Sequence, residues 1–477
     1  MTLADYEHEL EQRDEQLKLR DKKIAQLEAE NSRLKQLLQG KAKSKTAKKP
    51  NFSLDKNLPD KDDKKSDRKA SKKSTGRRKN SSKRPTGDHQ YSIYWDDADK
   101  DKCVLIRQQF VWHVIDGLAV HVQYDIYDLP GSKELPVPTS VRNSRSAYGI
   151  DVILILAFLH YWIGISLDKA CEVIHFFTKL ELSKSQADSL LNQLSDDWKD
   201  EYDNILMLIA LQTIVYIDET GWKVGLKSCY TWCFSTPLYV LFKSGVGRSK
   251  SVAEGVLGDS FQGIGVTDDY CAYINMFTEH QLCWAHLIRK AIKIALQNPD
   301  ENEYSEFLDQ LCSIYNEAVR SQNDGRLSIG RADRRDELKQ RIVELCKRAG
   351  ESTDDNYTLS GLNDFVLLQN ELTRNIDCLF VFVEHPEVEP TNNRSERNVR
   401  REAEVRKGGR TSKTKHGARR RGIVMTVLAT LQTRFKIFTL DVLMNEVQRW
   451  IATGSSLFKS ELDDLQNAPD APCPTST

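Results

Sequence analysis

The sequence predicts an α/β protein built on a mixed sheet with an antiparallel edge, and three observations lead there. Three β-branched, apolar runs at 213–218, 229–234 and 238–243 follow one another across Gly- and Pro-containing turns. A helix over 251–258, strands over 263–267 and 281–284, and a helix over 285–296 come next. Helical periodicity then returns at 391–407 and 417–434, after a charged, helical stretch at 300–375 with weak strand signals that reads as an insertion.

The elements before the sheet are equally distinct. Within residues 1–40, Leu3, Leu10, Leu17, Ile24, Asn31 and Leu38 recur every seven residues, with Leu27 and Leu34 at the complementary position. That is the seam of a short coiled coil, weak in its first heptads where Arg13 and Arg20 interrupt it. Asn31 at a core position selects a two-stranded parallel pair, so a homodimer or higher oligomer is expected. Residues 41–90 carry 18 Lys/Arg against 6 Asp and almost no large apolar groups, a composition expected to stay disordered as a basic linker. Alternating runs at 91–140, such as Val120 to Tyr127, predict a small β unit, closed off by Pro130, Pro136 and Pro138. Residues 146–210 read as helices and are a candidate DNA-contacting region, although they hold no helix-turn-helix signature. The sheet domain occupies 211–435, and a C-terminal helix and tail fill 436–477.

Charge is segregated rather than absent. The chain has 69 basic and 69 acidic residues, yet 397–421 alone holds 11 Lys/Arg against Glu402 and Glu404. Two basic blocks in an otherwise acidic chain are the footprint of a polyanion partner. The ten cysteines are scattered singly and no secretory signal is present, which predicts a reducing cytoplasm. The apolar run Val152 to Leu167 is too short to span a bilayer and contains His160, so a buried helix is expected and no membrane partner.

Three carboxylates stand in distinctive settings. Asp218 lies in Thr213-Ile-Val-Tyr-Ile-Asp-Glu-Thr-Gly-Trp222, and Asp268 in Gly263-Ile-Gly-Val-Thr-Asp-Asp-Tyr270. Glu396 lies in Pro390-Thr-Asn-Asn-Arg-Ser-Glu-Arg397, one turn into a helix behind a capping cluster. Mg²⁺ binds through a few carboxylates and substrate phosphate, and paired Mg²⁺ ions serve phosphoryl transfer. A metal-dependent enzyme acting on nucleic acid is therefore expected, with two Mg²⁺ (or Mn²⁺) as cofactor.

Asp218-Glu-Thr-Gly-Trp222, Asp268-Asp-Tyr-Cys-Ala-Tyr273, Cys283-Trp-Ala-His-Leu-Ile-Arg289 and Asn392-Asn-Arg-Ser-Glu-Arg-Asn-Val-Arg400 together resemble the catalytic region of the insertion-sequence-66 family of bacterial DDE transposases. Arg406-Lys407 followed by Gly408–Gly417 is similar to that family's C-terminal signature. The resemblance spans about 146–435 and implies a ribonuclease-H-like catalytic core that cuts element ends and joins them to target DNA. It implies Asp218, Asp268 and Glu396 as catalytic acids and metal ligands, double-stranded DNA as substrate, a nucleoid-associated location, and accessory proteins of the element as further partners. Glu219 and Asp269 are neighbouring carboxylates that strand alternation turns away from the same metals. Asp269 stands where the family has Gly. Arg397, Arg400, Arg401, Arg406, Lys407 and Arg410 are expected on phosphate backbone. His286 and Arg289 are expected near the site or in the core, and Trp222 either stacks on an unpaired base or fills the core. Relatives carry a four-cysteine zinc module where this chain has only Cys103, His113 and His121, so no structural zinc is expected. Two other readings compete: a non-catalytic DNA-binding derivative, and a nuclease of the same fold without joining activity.

Overall fold

The computed structural model describes residues 87–467, apart from 95–96, 130–136, 144–145, 259–260, 271–272, 274–275 and 351–358. The expected coiled coil and nearly all of the basic linker lie outside the described residues.

The chain enters through a three-stranded sheet of β1 (His89–Ile93), β2 (Val104–Ile115) and β3 (Leu118–Asp128), in the order β1-β3-β2. β2 and β3 form a hairpin whose tip, Asp116-Gly117, has positive φ at both residues, as the twist of a tight hairpin turn requires. A small core of Val111, Val122, Tyr124 and Val141 holds the unit together. His113, one of the three residues weighed as metal ligands, is buried between Asp151 (2.9 Å) and the Tyr124 hydroxyl (3.1 Å). His121 stacks on Trp112 at 4.4 Å.

Four helices follow: α1 (Ile150–Ala157), α2 (Leu167–Thr178), α3 (Lys184–Asp197) and α4 (Lys199–Ala210). A π-helical turn at Phe158–Trp162 ends the apolar run that starts in α1. Ser166 and Ser183 cap the next two helices, and Ser183 and Gln186 form a reciprocal capping box.

The central sheet has five strands: β4 (Ile214–Val224), β5 (Lys227–Ser235), β6 (Val240–Val246), β7 (Ile264–Thr267) and β8 (Glu279–Leu282), in the order β6-β5-β4-β7-β8. β4–β5 and β5–β6 are antiparallel, and β4–β7 and β7–β8 are parallel. Helix α5 (Lys250–Leu257) crosses from β6 to β7. Alternation along β4 serves two cores. Val215 and Ile217 join Trp232, Phe234 and the helices of 150–209 on one face. Ile214 and Tyr216 join Val266, Leu282 and Trp284 on the other.

That second face is covered by α6 (Trp284–Gln297) with the expected insertion, whose described residues form three helices and no strand: α7 (Asn302–Gln322), α8 (Ser328–Gly350) and α9 (Leu359–Arg374). Phe307, Leu311, Leu338, Leu368 and Leu372 from these helices are all buried against it. The one-turn helix α10 (Val381–Glu384) leads to α11 (Asn393–Lys407) and α12 (Lys415–Arg434). Helix α12 lies along the edge strand β6 with small residues one turn apart. The Thr426 hydroxyl accepts from Phe242 N (2.8 Å), the Thr430 hydroxyl accepts from Val240 N (3.1 Å), and a Cβ on Gly422 would meet the Phe242 carbonyl at 2.9 Å. An otherwise open sheet edge is thus satisfied by side chains and covered. The C-terminal region holds two helices rather than one, α13 (Leu440–Thr453) and α14 (Leu457–Asn467). Among the described residues no helix is long and apolar enough to cross a membrane.

Candidate active site

The parallel pairing of β4 with β7 builds the site. Tyr216 pairs with Val266, and continuing that register by two residues sets Asp268 level with Asp218. Leu282 pairs with Thr267 in turn, so Cys283 comes up beside Asp268 on the next strand. Glu396 arrives from another part of the chain, and its helix is stitched to the sheet by buried polar groups. Asn392 donates to Ile217 O (2.6 Å), Ser395 donates to Cys233 O (3.1 Å), and Asn392 N donates to Cys283 Sγ (3.1 Å). Cys233 is the cross-strand partner of Asp218, so Ser395 ties the first turn of α11 next to the first acid.

These placements gather the three acids. Burial, then the negative charges of Glu219, Asp268 and Glu396, push the Asp218 carboxyl up to about 8. Asp268 is also raised, by burial and then by Glu219. Among the described residues neither acid takes part in an ion pair, whereas their neighbours do. Glu396, 15% exposed at its side chain, is approached by Arg289 Nη2 (3.3 Å), His286 Nδ1 (3.5 Å) and Cys283 Sγ (3.8 Å).

Glu219, the neighbour of Asp218 on β4, is a further buried carboxylate whose charge reaches the acids. Its side chain is 2% exposed and accepts from Tyr273 Oη (2.6 Å) and Arg248 Nε (2.8 Å). After burial, its charge is the largest electrostatic influence on both Asp218 and Asp268. The Arg248 guanidinium stacks on Tyr270 at 3.7 Å, closing a network that sequence reasoning missed. The signal was present: Tyr273 lies in the same motif as Asp268. Asp269, by contrast, is drawn off by Arg374 Nη2 (2.6 Å) and Asn375 Nδ2 (3.1 Å) at the end of α9.

The chain belongs to the IS66 family of transposases. The family's description matches residues 145–420, more than half the chain and inclusive of all three acids. No curated protein matches the chain.

The basic residues of this IS66 transposase divide into free and engaged. Arg397, Arg400, Arg406, Lys407 and Arg410 are exposed. Arg401 is half-buried with its guanidinium 3.9 Å over Trp162. Further along the basic stretch, Arg420 is held by Asn192 (2.6 Å) and Asp188 (2.8 Å). Arg421 forms a buried two-pronged pair with Glu402 at 2.7 and 2.9 Å. Trp222 is 2% exposed, packs with Val224, Val405 and Ala418, and donates to Ser412 Oγ (3.1 Å). It is a core tryptophan and cannot stack on a base.

Proposed function

We propose that this transposase is catalytically competent: it cleaves the ends of an insertion sequence and joins them to target DNA through Asp218, Asp268 and Glu396. The observation that carries this reading is the gathering of the three acids at the ends of the central strands β4 and β7, where Asp218 feels the charges of Asp268 and Glu396. The strand order β6-β5-β4-β7-β8 with β5 antiparallel supports a ribonuclease-H-like core.

The donor set fits a hard divalent cation. It offers carboxylate oxygens, two of the acids take part in no ion pair among the described residues, and burial makes their charge costly. Asp218, Asp268 and Glu396 would hold Mg²⁺ or Mn²⁺. A bound pair of such ions supplies activation of the attacking oxygen and stabilisation of the leaving one. Arg289 steadies the Glu396 carboxylate, while Tyr273 and Arg248 hold Glu219 beside the other acids. Arg397 and Arg400, exposed one turn apart on the helix that carries Glu396, offer phosphate contacts that fix the strand without reading its sequence. Double-stranded DNA is the substrate, a dimer presents the two ends, and accessory proteins of the element complete the assembly.

The test is Mg²⁺-dependent cleavage and strand transfer on a duplex carrying the element's terminal repeats, with wild type beside Glu396→Gln. Cleavage and joining that disappear in the variant support the reading. Tight binding without cleavage by either protein overturns it in favour of a non-catalytic derivative, and cleavage without joining favours a nuclease.

A further inference from the structure

Cys283, His286 and Glu396 are the one trio of His, Cys, Asp or Glu side chains among the described residues whose ligand atoms all lie within 4.8 Å of one another. Their chemistry is unlike that of the neighbouring carboxylates. We propose that they form a thiolate–imidazole–carboxylate site for Zn²⁺, and that filling it withdraws Glu396 from the reaction described above. The second half of the proposal rests on that functional reading; the first half does not.

The geometry is nearly assembled. In a tetrahedral zinc site, with metal–nitrogen and metal–oxygen bonds near 2.0 Å and metal–sulfur near 2.3 Å, ligand atoms stand about 3.3 Å apart for N and O and about 3.5 Å apart for S and O. Here His286 Nδ1 is 3.5 Å and Cys283 Sγ 3.8 Å from the same oxygen, Glu396 Oε1. Cys283 caps the start of α6 and His286 sits three residues on, their backbones joined by His286 N to Cys283 O (3.1 Å), which puts both side chains at one end of the helix. His286 Nδ1 is shielded from solvent and makes no hydrogen bond, its nearest polar neighbour being Glu396 Oε1 at 3.5 Å.

Supporting groups are in place. Arg289 Nη2 lies nearest Glu396 Oε2 (3.3 Å), and Asn392 N donates to Cys283 Sγ (3.1 Å), which fixes the sulfur beside the carboxylate. On binding, the Cys283 S–H bond breaks, its proton passes to solvent, and the sulfur takes up the metal, while His286 binds through the Nδ1 lone pair. Sulfur and nitrogen favour Zn²⁺ over Mg²⁺, so the two ions divide between the trio and the carboxylates and compete for Glu396 alone.

The experiment titrates the metal-free, full-length protein with Co²⁺ as a spectroscopic stand-in for Zn²⁺. One equivalent should produce a sulfur-to-cobalt charge-transfer band that Zn²⁺ abolishes. Cys283→Ser should lose the band and bind Zn²⁺ more than roughly tenfold more weakly, the least that losing even an outer-shell partner costs. His286→Ala, at a partly exposed position that spares the fold, should weaken binding likewise, while Asp218→Asn should leave the band in place. Absence of the band in wild type, or its persistence in Cys283→Ser, overturns the site. One equivalent of Zn²⁺ should also suppress Mg²⁺-dependent cleavage by wild type; undiminished cleavage with the band present overturns the sharing of Glu396. A cobalt band that behaves as stated in a protein that never cleaves DNA leaves the zinc site standing and removes the functional reading instead.

Discussion

Replacing Asp218 by Asn should stabilise the metal-free protein, and increasingly so as pH rises. Burial, then the charges of Glu219, Asp268 and Glu396, move its carboxyl from an ordinary 3.8 up to about 8. The folded state therefore keeps a proton that the unfolded chain releases above pH 3.8. The protonated acid's favourable contribution is complete below that pH and is lost as pH climbs to about 8, at about 1.4 kcal/mol per unit. Carried to pH 7, this amounts to about 4 kcal/mol. Solvent reaches part of the side chain, and with that screening a working figure is about 2–4 kcal/mol. Asn keeps the shape and removes the titration. Denaturant unfolding of both proteins in chelator, from pH 5 to pH 9, should show a gap that widens by about 2–3 kcal/mol up to pH 8 and then levels off. Added Mg²⁺ should raise the stability of wild type and not that of the variant. Parallel stability curves with a constant gap would refute the argument, because they would mean that Asp218 ionises normally and the acids are not crowded.

Other perturbations separate the remaining roles. Arg421→Met strands the Glu402 carboxylate in the core and should cost about 3–5 kcal/mol in denaturant unfolding, much of it recovered when Glu402→Leu is added; a loss below about 1 kcal/mol would show that water reaches the pair. Asp268→Asn should abolish strand cleavage while Asp269→Asn, whose partners are Arg374 and Asn375, retains it; the opposite pattern in a gel assay would reverse the assignment. Removing Arg397 and Arg400 together should weaken DNA binding on all sequences alike and lower the slope of log affinity against log salt by about 1.8. An unchanged slope would place the phosphates elsewhere.

The order of the elements and the position of each acid within them could be read from the chain itself, because both are written locally. β-branched runs of five or six residues become strands wherever a face can be buried, and a capping cluster starts a helix whatever it docks against. Asp218 within the first strand, Asp268 just past the fourth and Glu396 one turn into α11 follow from such signals. What those residues meet is decided elsewhere. Arg401, Arg420 and Arg421 look like Arg397 and Arg400 in sequence, yet Trp162, Asp188 and Glu402 engage them and cover them in part or in full. Trp222 looks like a stacking platform until Val405 and Ala418 close over it from α11 and α12. Glu219 appears surplus beside Asp218 until the loop after β7 brings up Tyr273. Charge, burial and partnership belong to pairs of distant segments, and a single chain position carries only half of each. The sequence determined which chemistries this protein carries; only the tertiary structure, by choosing which groups lose water together, decided which of them remain free to act.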